Sequence, residues 1–383
     1  MPFGTEGEED GIGLALSGGG YRAMLFHLGV LRRLNEIGLL SQVARISSVS
    51  GGSLTAGRLA TAWKKLDFQD GVAANFDREV AEPILRFSRR LVDVPAAVIG
   101  LLPFIGPGDV AGFFYRSLAG TATLQDLPDT PRFVFNSAHL ASGTSWRFSK
   151  PYMGSYRVGL IPNPRTKVTT AMAASAAFPP VLSPVILRPN PGEFEQVEGA
   201  DLYPNEGLRK LVALADGGVY DNLGLETLSG RYNTLLVSDA SGGLAVKPGS
   251  YALPPLQLMR VLDTATEQAR ALRRRNLKPW SQAKAGRRYA FWGTITDVSE
   301  YPAPSPFPVH PDWRFEMAAI RTRLNRFGDE ERERLVNWGY LVSDVALRSF
   351  IALDAQAPAA LPFPRYDFAS PPKASRSTIA GPA

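Results

Sequence analysis

The first apolar segment of the chain leads into a run of glycines and then into a helical pattern. Residues 11–17 bring Ile, Leu, Ala and Leu close together, which is typical of a short buried strand, and residues 18–20 are all glycine. Apolar residues then recur at helical spacing up to Leu34, and Gly38 is a typical C-terminal stop. The pattern predicts a strand, a tight turn and an amphipathic helix.

The same order of elements follows immediately. Val43 to Val49 is predicted to be a strand, 50–52 a turn and Leu54 to Leu66 a helix. Such alternation is typical of βαβ units, whose right-handed crossovers place helices on both faces of a parallel sheet. We therefore predict a three-layer α/β/α fold with a mostly parallel central sheet. Functional residues are expected at the carboxyl ends of its strands, where both turns fall.

The middle of the chain is less regular. We predict a helix over 76–90 and an apolar stretch interrupted by Pro and Gly over 92–114. Residues 133–136 and 167–172 are predicted to be strands or strand ends. No internal repeat is visible, so the pattern does not indicate a repeat protein.

Two more strands and two long helices are predicted in the C-terminal half. These elements are the strands 211–215 and 234–237 and the helices 256–277 and 329–350. We interpret residues 11–350 as a single domain with its motifs in 11–226 and a helical C-terminal part over 251–350. Residues 358–383 are rich in Pro, Ser and Ala, so we predict that they form a flexible tail.

The amino-acid composition limits the possible nucleophiles and metal sites more than it limits the possible folds. Apolar residues make up 45% and charged residues 20% of the 383 residues, so a packed core is expected. The net charge of +6 favours anionic surfaces without naming a partner. Cysteine is absent, which excludes a disulfide framework, a thiolate metal site and a thiol nucleophile. A nucleophile in this chain must be an oxygen or nitrogen group.

The N-terminal segment and the apolar runs predict a soluble or peripheral protein. The first ten residues are acidic, where a secretory signal needs a basic segment. The most apolar run, Val94 to Ile105, is interrupted by two prolines and a glycine and is shorter than the ~20 residues that span a bilayer. We therefore expect a cytoplasmic protein that meets membranes only at their surface.

Ser50 is the best candidate for a nucleophile. The segment Ser48-Val49-Ser50-Gly51-Gly52 resembles the G-x-S-x-G nucleophile elbow, with Ser48 in place of the first glycine. An elbow needs small flanking residues because its serine sits at a sharp turn between a strand and a helix. The following helix also directs its partial positive charge at the serine. Ser17 fits the loosened pattern equally well, and Ser53 fits it less well.

The glycine run is the best candidate for an anion-binding loop. Gly18-Gly19-Gly20-Tyr21-Arg22 offers unhindered N–H groups at the start of a helix, which a tetrahedral oxyanion or a phosphate requires. The loop lacks both the ending of a P-loop and the spacing of a dinucleotide fingerprint. An oxyanion hole fits it better, with Ser17 lining the hole instead of acting as the nucleophile. A close-packed turn without a ligand is the structural alternative.

A serine nucleophile needs a base, and the three histidines are poorly placed for that role. His27 lies inside the first predicted helix and His139 follows a strand-like run. His310 lies in a Pro-rich loop. A carboxylate is therefore the remaining candidate for the base.

Asp216 is the best placed carboxylate. It ends an apolar run, and Gly217 and Gly218 let the chain turn away so that the Asp216 side chain faces the cleft. Asp221 and Asp239 are its rivals. For any one of the three, the ordinary alternative is a solvated acid or a helix cap.

Together these motifs resemble those of the patatin-like phospholipase family. The family has a Gly-Gly-Gly-x-Arg loop, a G-x-S-x-G elbow and an Asp-Gly-Gly/Ala motif, which match residues 18–22, Ser50 and 216–218 in the same order. The resemblance extends from about residue 11 to 226, with the glycine loop also similar to that of the related cytosolic phospholipase A2 group. Residues 174–179 resemble a further family segment near the active site.

The resemblance implies a patatin-like fold and a Ser50–Asp216 dyad that needs no histidine, metal or organic cofactor. Asp216 would accept the Ser50 proton, and the amides around Gly18 to Gly20 would hold the oxyanion before water cleaves the acyl-enzyme. The implied substrate is a phospholipid or another lipid ester at a transient membrane contact, and no nucleic-acid partner is expected. Because an ordinary Asp has a pKa of about 3.9, we expect a desolvated cleft.

Several roles stay open at this point. Arg22 either contacts a lipid phosphate or braces the glycine loop. The apolar residues of 98–105 form either a lid or an ordinary buried segment, and the basic residues of 270–278 either touch anionic head groups or face solvent. The alternative functions are a serine esterase or acyltransferase on non-lipid esters and a non-catalytic anion- or nucleotide-binding module.

Overall fold

The apolar segments of the sequence pair into one large sheet. The structure is a computed structural model and describes residues 9–99, 106–244, 246, 248–249 and 251–372. Its strands are β1 (Glu9–Leu16), β2 (Val43–Val49), β3 (Phe68–Gln69), β4 (Val72–Ala73), β5 (Arg132–His139), β6 (Thr144–Phe148), β7 (Tyr152–Ser155), β8 (Gly159–Pro162), β9 (Val185–Leu187), β10 (Val212–Asp216), β11 (Tyr232–Asp239) and β12 (Arg288–Gly293). All of these except the short β3–β4 hairpin belong to the one sheet.

Helices of very different length connect the strands. In chain order they are α1 (Gly20–Glu36), α2 (Gly51–Ala62), α3 (Glu82–Phe87), α4 (Asp93–Ile99), α5 (Pro107–Ala119), α6 (Val168–Ser175), α7 (Gly207–Lys210), α8 (Gly218–Asp221), α9 (Pro254–Arg275), α10 (Leu277–Gln282), α11 (Trp313–Ala319) and α12 (Asp329–Phe350). A π-helical turn, Asp77–Ala81, precedes α3. The predicted bounds of β2 and α12 match the structure, and α2 begins three residues earlier than predicted because the turn at Ser50 leads directly into it.

The sheet has a parallel centre and an antiparallel side. Strands β12, β11, β1, β2 and β5 lie side by side and run parallel. Beyond β5, strands β6, β7 and β8 continue the sheet in antiparallel pairs. The predicted α/β fold with a large, mostly parallel central sheet flanked by helices is therefore confirmed.

Two strands meet end to end against β5. Strand β2 pairs with residues 132–136 of β5, and its last residue, Val49, lies opposite Asn136. Strand β10 approaches from the opposite direction and pairs with residues 137–139, so that Asp216 lies opposite Ser137. The residues that follow Val49 and the last residue of β10 are thereby brought to the same point of the sheet.

The middle of the chain is more helical than its sequence predicts. The strand predicted over 167–172 is wrong, because Val168–Ser175 forms α6. Its β-branched residues favour a strand, yet Val168, Ala171 and Met172 are all fully buried, and tertiary packing overrides that preference. The stretch 92–114 contains α4 and most of α5, while residues 100–105 of the proposed lid lie outside the described residues.

The C-terminal helix packs directly on the first helix. A side-chain carbon added to Gly29 of α1 would lie 1.9 Å from the Val336 carbonyl oxygen, and one added to Gly339 of α12 would lie 2.0 Å from the Phe26 carbonyl oxygen. The two backbones are therefore in contact, because glycine leaves no side chain between them. Helix α12 closes the same core that carries the glycine loop.

Part of the predicted flexible tail is packed. Within 358–372, Leu361 and Phe368 are buried, and the Phe368 ring meets the rings of Trp313 and Trp338 edge-on. The prediction is wrong for these described residues because two large apolar side chains anchor a segment whose Pro and Ser content indicates a loose tail.

Candidate active site

Ser50 lies at a strained turn between β2 and α2. Its φ is 51° and its ψ is −122°, a conformation that a non-glycine residue rarely adopts. A side-chain carbon on Gly51 would lie 2.0 Å from the Gly20 carbonyl oxygen, and one on Gly52 would lie 2.5 Å from the Leu16 carbonyl oxygen. These close approaches explain why both residues after Ser50 are glycine, as the elbow pattern predicts.

Asp216 is a buried acid with one unpaired oxygen. Its Oδ1 accepts the N–H of Gly218 at 2.7 Å, and Oδ2 is buried without a hydrogen-bond partner among the described residues. Burial raises the pKa of Asp216 to about 6, against the opposing effects of the Gly218 N–H and the Ser50 hydroxyl. The carboxyl group is therefore a stronger base than an ordinary aspartate.

Ser50 and Asp216 are neighbours whose side chains do not form a hydrogen bond of good geometry. The Ser50 hydroxyl is near enough to lower the pKa of Asp216, yet no bond within normal distance and angle limits joins the two side chains in the described structure. Catalytic hydrogen bonds are often long in the absence of substrate and shorten when it binds. The predicted pair is thus brought together, with Ser50 8% and Asp216 2% exposed.

Both side chains open into a cavity of about 890 Å³. Residues of the glycine loop, Ser50 and Asp216 form part of its lining. The remaining wall contains the apolar residues Phe178, Pro179, Val181, Leu182, Met259, Ile320 and Leu324 and the charged residues Asp93, Arg260, Asp263, Glu267, Arg270, Arg321 and Arg323. The space is large enough for a long apolar group attached to a polar one.

The glycine loop leaves only part of its amides available. The Gly18 N–H donates to the Asn222 carbonyl oxygen at 3.1 Å, so it is already occupied. Gly19 and Gly20 have φ values of 139° and 54°, and their N–H groups have no acceptor within the described part of the chain. The anion-binding capacity predicted for 18–22 therefore lies at Gly19, Gly20 and the first turn of α1. The side chain of Tyr21, by contrast, is buried away from the cavity.

Arg22 braces the loop. Its buried guanidinium donates to the carbonyl oxygens of Ala240 at 3.0 Å, Ala318 at 2.5 Å, Ile320 at 2.8 Å and Ser241. These acceptors belong to two segments that are distant in the chain, so one side chain ties both to the start of α1. Of the two roles left open by the sequence, the geometry supports the brace.

A buried network under the elbow was missed by the sequence analysis. The Ser175 carbonyl oxygen accepts the N–H of Ser50 and the N–H of Gly217, each at 3.2 Å. The Ser175 hydroxyl accepts the Ser50 N–H at 3.1 Å and donates to the Asn136 carbonyl oxygen at 2.6 Å. One residue of the 174–179 segment therefore links the nucleophile turn to the acid turn.

Ser53 and Ser48 extend the same network. The Ser53 hydroxyl lies 2.8 Å from the Ser175 hydroxyl and donates to the Ser48 hydroxyl at 2.9 Å. The Ser48 hydroxyl in turn reaches the Val134 carbonyl oxygen at 3.2 Å. All three serines are fully buried. The departure of Ser48 from glycine is thus accommodated by a hydrogen-bonded side chain directed away from the cavity.

The rival acids and the rival serine have structural roles. Asp221 accepts the backbone N–H groups of Leu223, Gly224 and Glu226 and pairs with Arg273. Asp239 pairs with Arg270 and accepts the Ser241 N–H. The Ser17 hydroxyl accepts the Ala240 N–H at 2.7 Å. These residues hold turns around the cavity, and none of the three lines it.

The histidines contact other groups. Each ring nitrogen of His27 has a partner at 2.9 Å, the Ser238 hydroxyl and the Ser17 carbonyl oxygen, and burial lowers the His27 pKa to about 4. Burial likewise lowers the pKa of His139 to about 4. His310 lies near Asp312. None of the three lines the cavity that contains Ser50.

The described residues contain neither a metal-binding cluster nor a membrane-spanning helix. No group of three or more His, Asp or Glu side chains there is arranged to hold a metal ion. Among the described helices, none combines the length and apolar character that crossing a bilayer demands.

The solved structures that resemble this chain in fold share little of its sequence. Human GIVD cytosolic phospholipase A2 is 14% identical with a TM-score of 0.44, over 86% of this chain and 60% of that one. The same human protein in complex with methyl γ-linolenyl fluorophosphonate is 16% identical with a TM-score of 0.46, over 87% and 57%. VipD from Legionella pneumophila is 14% identical with a TM-score of 0.35, over 88% and 66%. The chain thus spans about 60% of the human protein.

The family comparison rests on sequence. No curated protein sequence matches the chain significantly. The model of the patatin-like phospholipase family matches residues 14–229, more than half of the chain, and the matched region includes the glycine loop, Ser50 and Asp216. The chain therefore belongs to the patatin-like phospholipase family.

Proposed function

We propose that this protein is a lipid acyl hydrolase of the phospholipase A or lysophospholipase type, which cleaves carboxylic esters through a Ser50–Asp216 dyad. The observation that carries the proposal is the meeting of a strained serine and a buried acid of raised pKa in the lining of one large cavity. The family supports lipid-ester hydrolysis in general. The dyad and the substrate type are our inference.

In the proposed acylation step, Asp216 Oδ2 accepts the Ser50 proton while Ser50 Oγ attacks the ester carbonyl carbon. The carbonyl oxygen becomes an oxyanion, which the N–H groups of Gly19 and Gly20 can stabilise. The C–O bond to the leaving alcohol then breaks, and the alcohol takes the proton from Asp216. An acyl group remains on Ser50.

Deacylation reverses the same proton path. Asp216 accepts a proton from a water molecule, whose oxygen attacks the acyl carbon and displaces Ser50 Oγ. Ser50 then recovers the proton and the fatty acid leaves. A pKa of about 6 suits both steps, because the Asp216 carboxyl group is mostly ionised at neutral pH and yet can return a proton.

A lipid substrate is favoured by the wall of the cavity. Phe178, Val181, Leu182 and Leu324 offer apolar surface to an acyl chain. Charged side chains belong to the same lining and can contact a polar head group. A small soluble ester would fill little of the 890 Å³. An esterase or acyltransferase acting on non-lipid esters is therefore the second choice.

Fluorophosphonate labelling tests the dyad. The wild-type protein should be labelled, Ser50→Ala should not be, and Asp216→Asn should be labelled at least about a hundredfold more slowly because the serine loses its base. Ser117→Ala is the control, since its hydroxyl bonds only to the Phe114 carbonyl oxygen on the surface. Unchanged labelling of Ser50→Ala would refute the dyad, and a wild-type protein that is not labelled at all would leave the anion-binding module.

Comparison of substrates tests the lipid assignment. Phospholipid vesicles and short soluble esters are offered to the same preparation, and the rate per enzyme should rise when the ester is presented in a bilayer. Equal or faster turnover of the soluble ester would favour a general esterase. Transfer of the acyl group to an added alcohol in preference to water would indicate an acyltransferase.

A further inference from the structure

Helix α9 exposes an apolar stripe on the side directed away from the cavity. Leu258, Val261, Ala265 and Leu272 follow one another at spacings of three, four and seven residues, which places them on one helix face. Leu258 is 70%, Val261 58% and Leu272 54% exposed. We call these four residues the outer stripe of α9. Just before it, Leu253 and Leu256 are 63% and 58% exposed.

The opposite face of α9 is polar and turned inward. Asp263, Thr266, Glu267 and Arg270 line the catalytic cavity. Arg270 is only 6% exposed and pairs with both Glu267 and Asp239. A helix on the surface of a soluble protein normally buries its apolar face and exposes its polar face. The arrangement in α9 is inverted, so its outer stripe is built to be covered.

We propose that the outer stripe of α9 docks this protein on the surface of an anionic lipid bilayer. The inference rests on the proposed function, since a lipid hydrolase must bring its cavity to the layer that holds its substrate. Because α9 is itself a wall of the cavity, seating the stripe in the interface holds the cavity within about one helix diameter (roughly 10 Å) of the lipid. Phe178, Val181 and Val246, which are 41%, 46% and 52% exposed, line the same cavity and add apolar surface.

The charges near the stripe favour lipid over a second copy of the chain. Arg274, Arg275 and Lys278 are exposed directly after the stripe, and the Arg323 side chain, which pairs with Asp93, is 69% exposed at the cavity. Anionic head groups attract these cations near a membrane surface. The stripe of a second copy carries no carboxylate that could pair with these cations. The complementary partner is therefore a negatively charged lipid surface.

Vesicle sedimentation with a matched control tests the inference. Ser50→Ala protein is mixed with vesicles of equal parts phosphatidylcholine and phosphatidylglycerol, so that no lipid is hydrolysed. Introducing Leu258→Asp together with Val261→Asp should lower the partition coefficient at least about tenfold, because two apolar anchors become charged. The control is Leu353→Asp, which is as exposed as Leu258 but lies outside the cavity wall and α9. It should bind like the parent.

The outcomes separate this inference from the proposed function. With Ser50 intact, the double variant should hydrolyse a short soluble ester at the wild-type rate and melt at the same temperature, because both side chains face away from the cavity. Unchanged vesicle binding would overturn the docking inference. So would a dimer that the double substitution converts to a monomer without loss of vesicle binding. Failure of the wild-type protein to cleave any ester would instead count against the hydrolase proposal.

Discussion

At the scale of single residues, the candidate site depends on a carboxylate oxygen that is left without a partner. Asp216 Oδ2 is buried and unpaired in the described structure, while Oδ1 is held by Gly218. Buried polar atoms without partners are rare because each costs about 1 to 3 kcal/mol. Such an atom persists where the surrounding fold fixes it, and in the proposed mechanism it accepts the proton of Ser50.

The raised pKa of Asp216 predicts how the rate depends on pH. As a base, Asp216 must be ionised, so kcat/KM on a soluble ester should rise about tenfold per pH unit below about 6 and level off above it. A pH profile of the wild-type enzyme measures this. A rate that stays constant down to pH 4.5 would contradict the assignment of Asp216 as the base.

The same pKa predicts a stability gain in Asp216→Asn. The folded protein keeps the Asp216 proton up to pH about 6, whereas the unfolded chain releases it near 3.8. The free energy of unfolding therefore falls as the pH rises from about 3.8 to about 6, and it stays at the lower value above pH 6. Asn removes the buried charge and still accepts the Gly218 N–H. At pH 8 we expect the free energy of unfolding to rise by on the order of 2 kcal/mol while activity is lost. Urea unfolding at pH 8 and at pH 3.5 should show a gain only at the higher pH.

Ser175 is predicted to position the nucleophile. Ser175→Ala removes a hydroxyl that contacts the Ser50 N–H, Ser53 and Asn136, and should lower kcat roughly tenfold or more with little change in KM, because the substrate does not touch it. Ser149→Ala is the matched control, since Ser149 is equally buried and bonds only within a hairpin. Equal kcat in both variants would show that Ser175 serves packing alone.

At the scale of elements, the site exists because two strands end at the same point. Strand β2 covers one part of β5 and β10 covers the next part from the opposite direction. The chain leaves β2 at Ser50 and β10 at Asp216, and the Ser175 carbonyl oxygen at the end of α6 binds both turns. The helix that follows Ser50 and the helix that follows the glycine loop both direct their amino ends at this junction.

Contact between the two turns predicts the effect of a single methyl group. In Gly51→Ala the new carbon would lie 2.0 Å from the Gly20 carbonyl oxygen, so the glycine loop must move and hydrolysis should fall at least about a hundredfold. Gly112→Ala in α5 is the control, because the nearest neighbour of its new carbon, the Thr169 carbonyl oxygen of α6, would be 3.7 Å away. The control should keep full activity and gain roughly 0.5 to 1 kcal/mol of stability. A fully active Gly51→Ala enzyme would show that the turns are not held together.

At the scale of the whole molecule, the first and last helices share one core. The backbones of α1 and α12 touch at Gly29 and Gly339, and Arg22 ties the start of α1 to carbonyl groups beyond residue 317. We therefore propose that residues 11–350 form one catalytic domain. The region matched by the family model, 14–229, lacks α12 and the segment that Arg22 binds.

This arrangement predicts that the matched region does not fold alone. A chain that ends at residue 229 would expose the α1 face that α12 covers, which includes the contact points at Phe26 and Gly29. We expect it to be insoluble or to lack a cooperative thermal transition, whereas a chain ending at residue 372 should melt like the full-length protein. Cooperative unfolding and ester hydrolysis by the shorter chain would show two separable units.

The sequence by itself determined the local features of this protein. The order of strand, turn and helix around Ser50 and around the glycine loop follows from short-range patterns. Small residues at a sharp turn and apolar residues at regular spacing can both be recognised within a few neighbouring positions. The choice of Asp216 over the histidines also came from local context. The element most clearly misjudged was α6, whose β-branched residues favour a strand in isolation.

Only the tertiary structure decided what depends on residues far apart in the chain. Three such features join segments separated by tens to hundreds of residues. Strands β2 and β10 meet end to end on β5, the Gly18 N–H donates to the Asn222 carbonyl oxygen, and the Ser175 carbonyl oxygen accepts two N–H groups. The pKa of Asp216 belongs to the same class, because it is set by the surrounding protein that excludes water and not by the residue itself. The tertiary structure also decided which face of α9 turns inward, because a helical pattern alone does not say so. In the fold, the polar face of α9 lines the cavity and its apolar face is exposed.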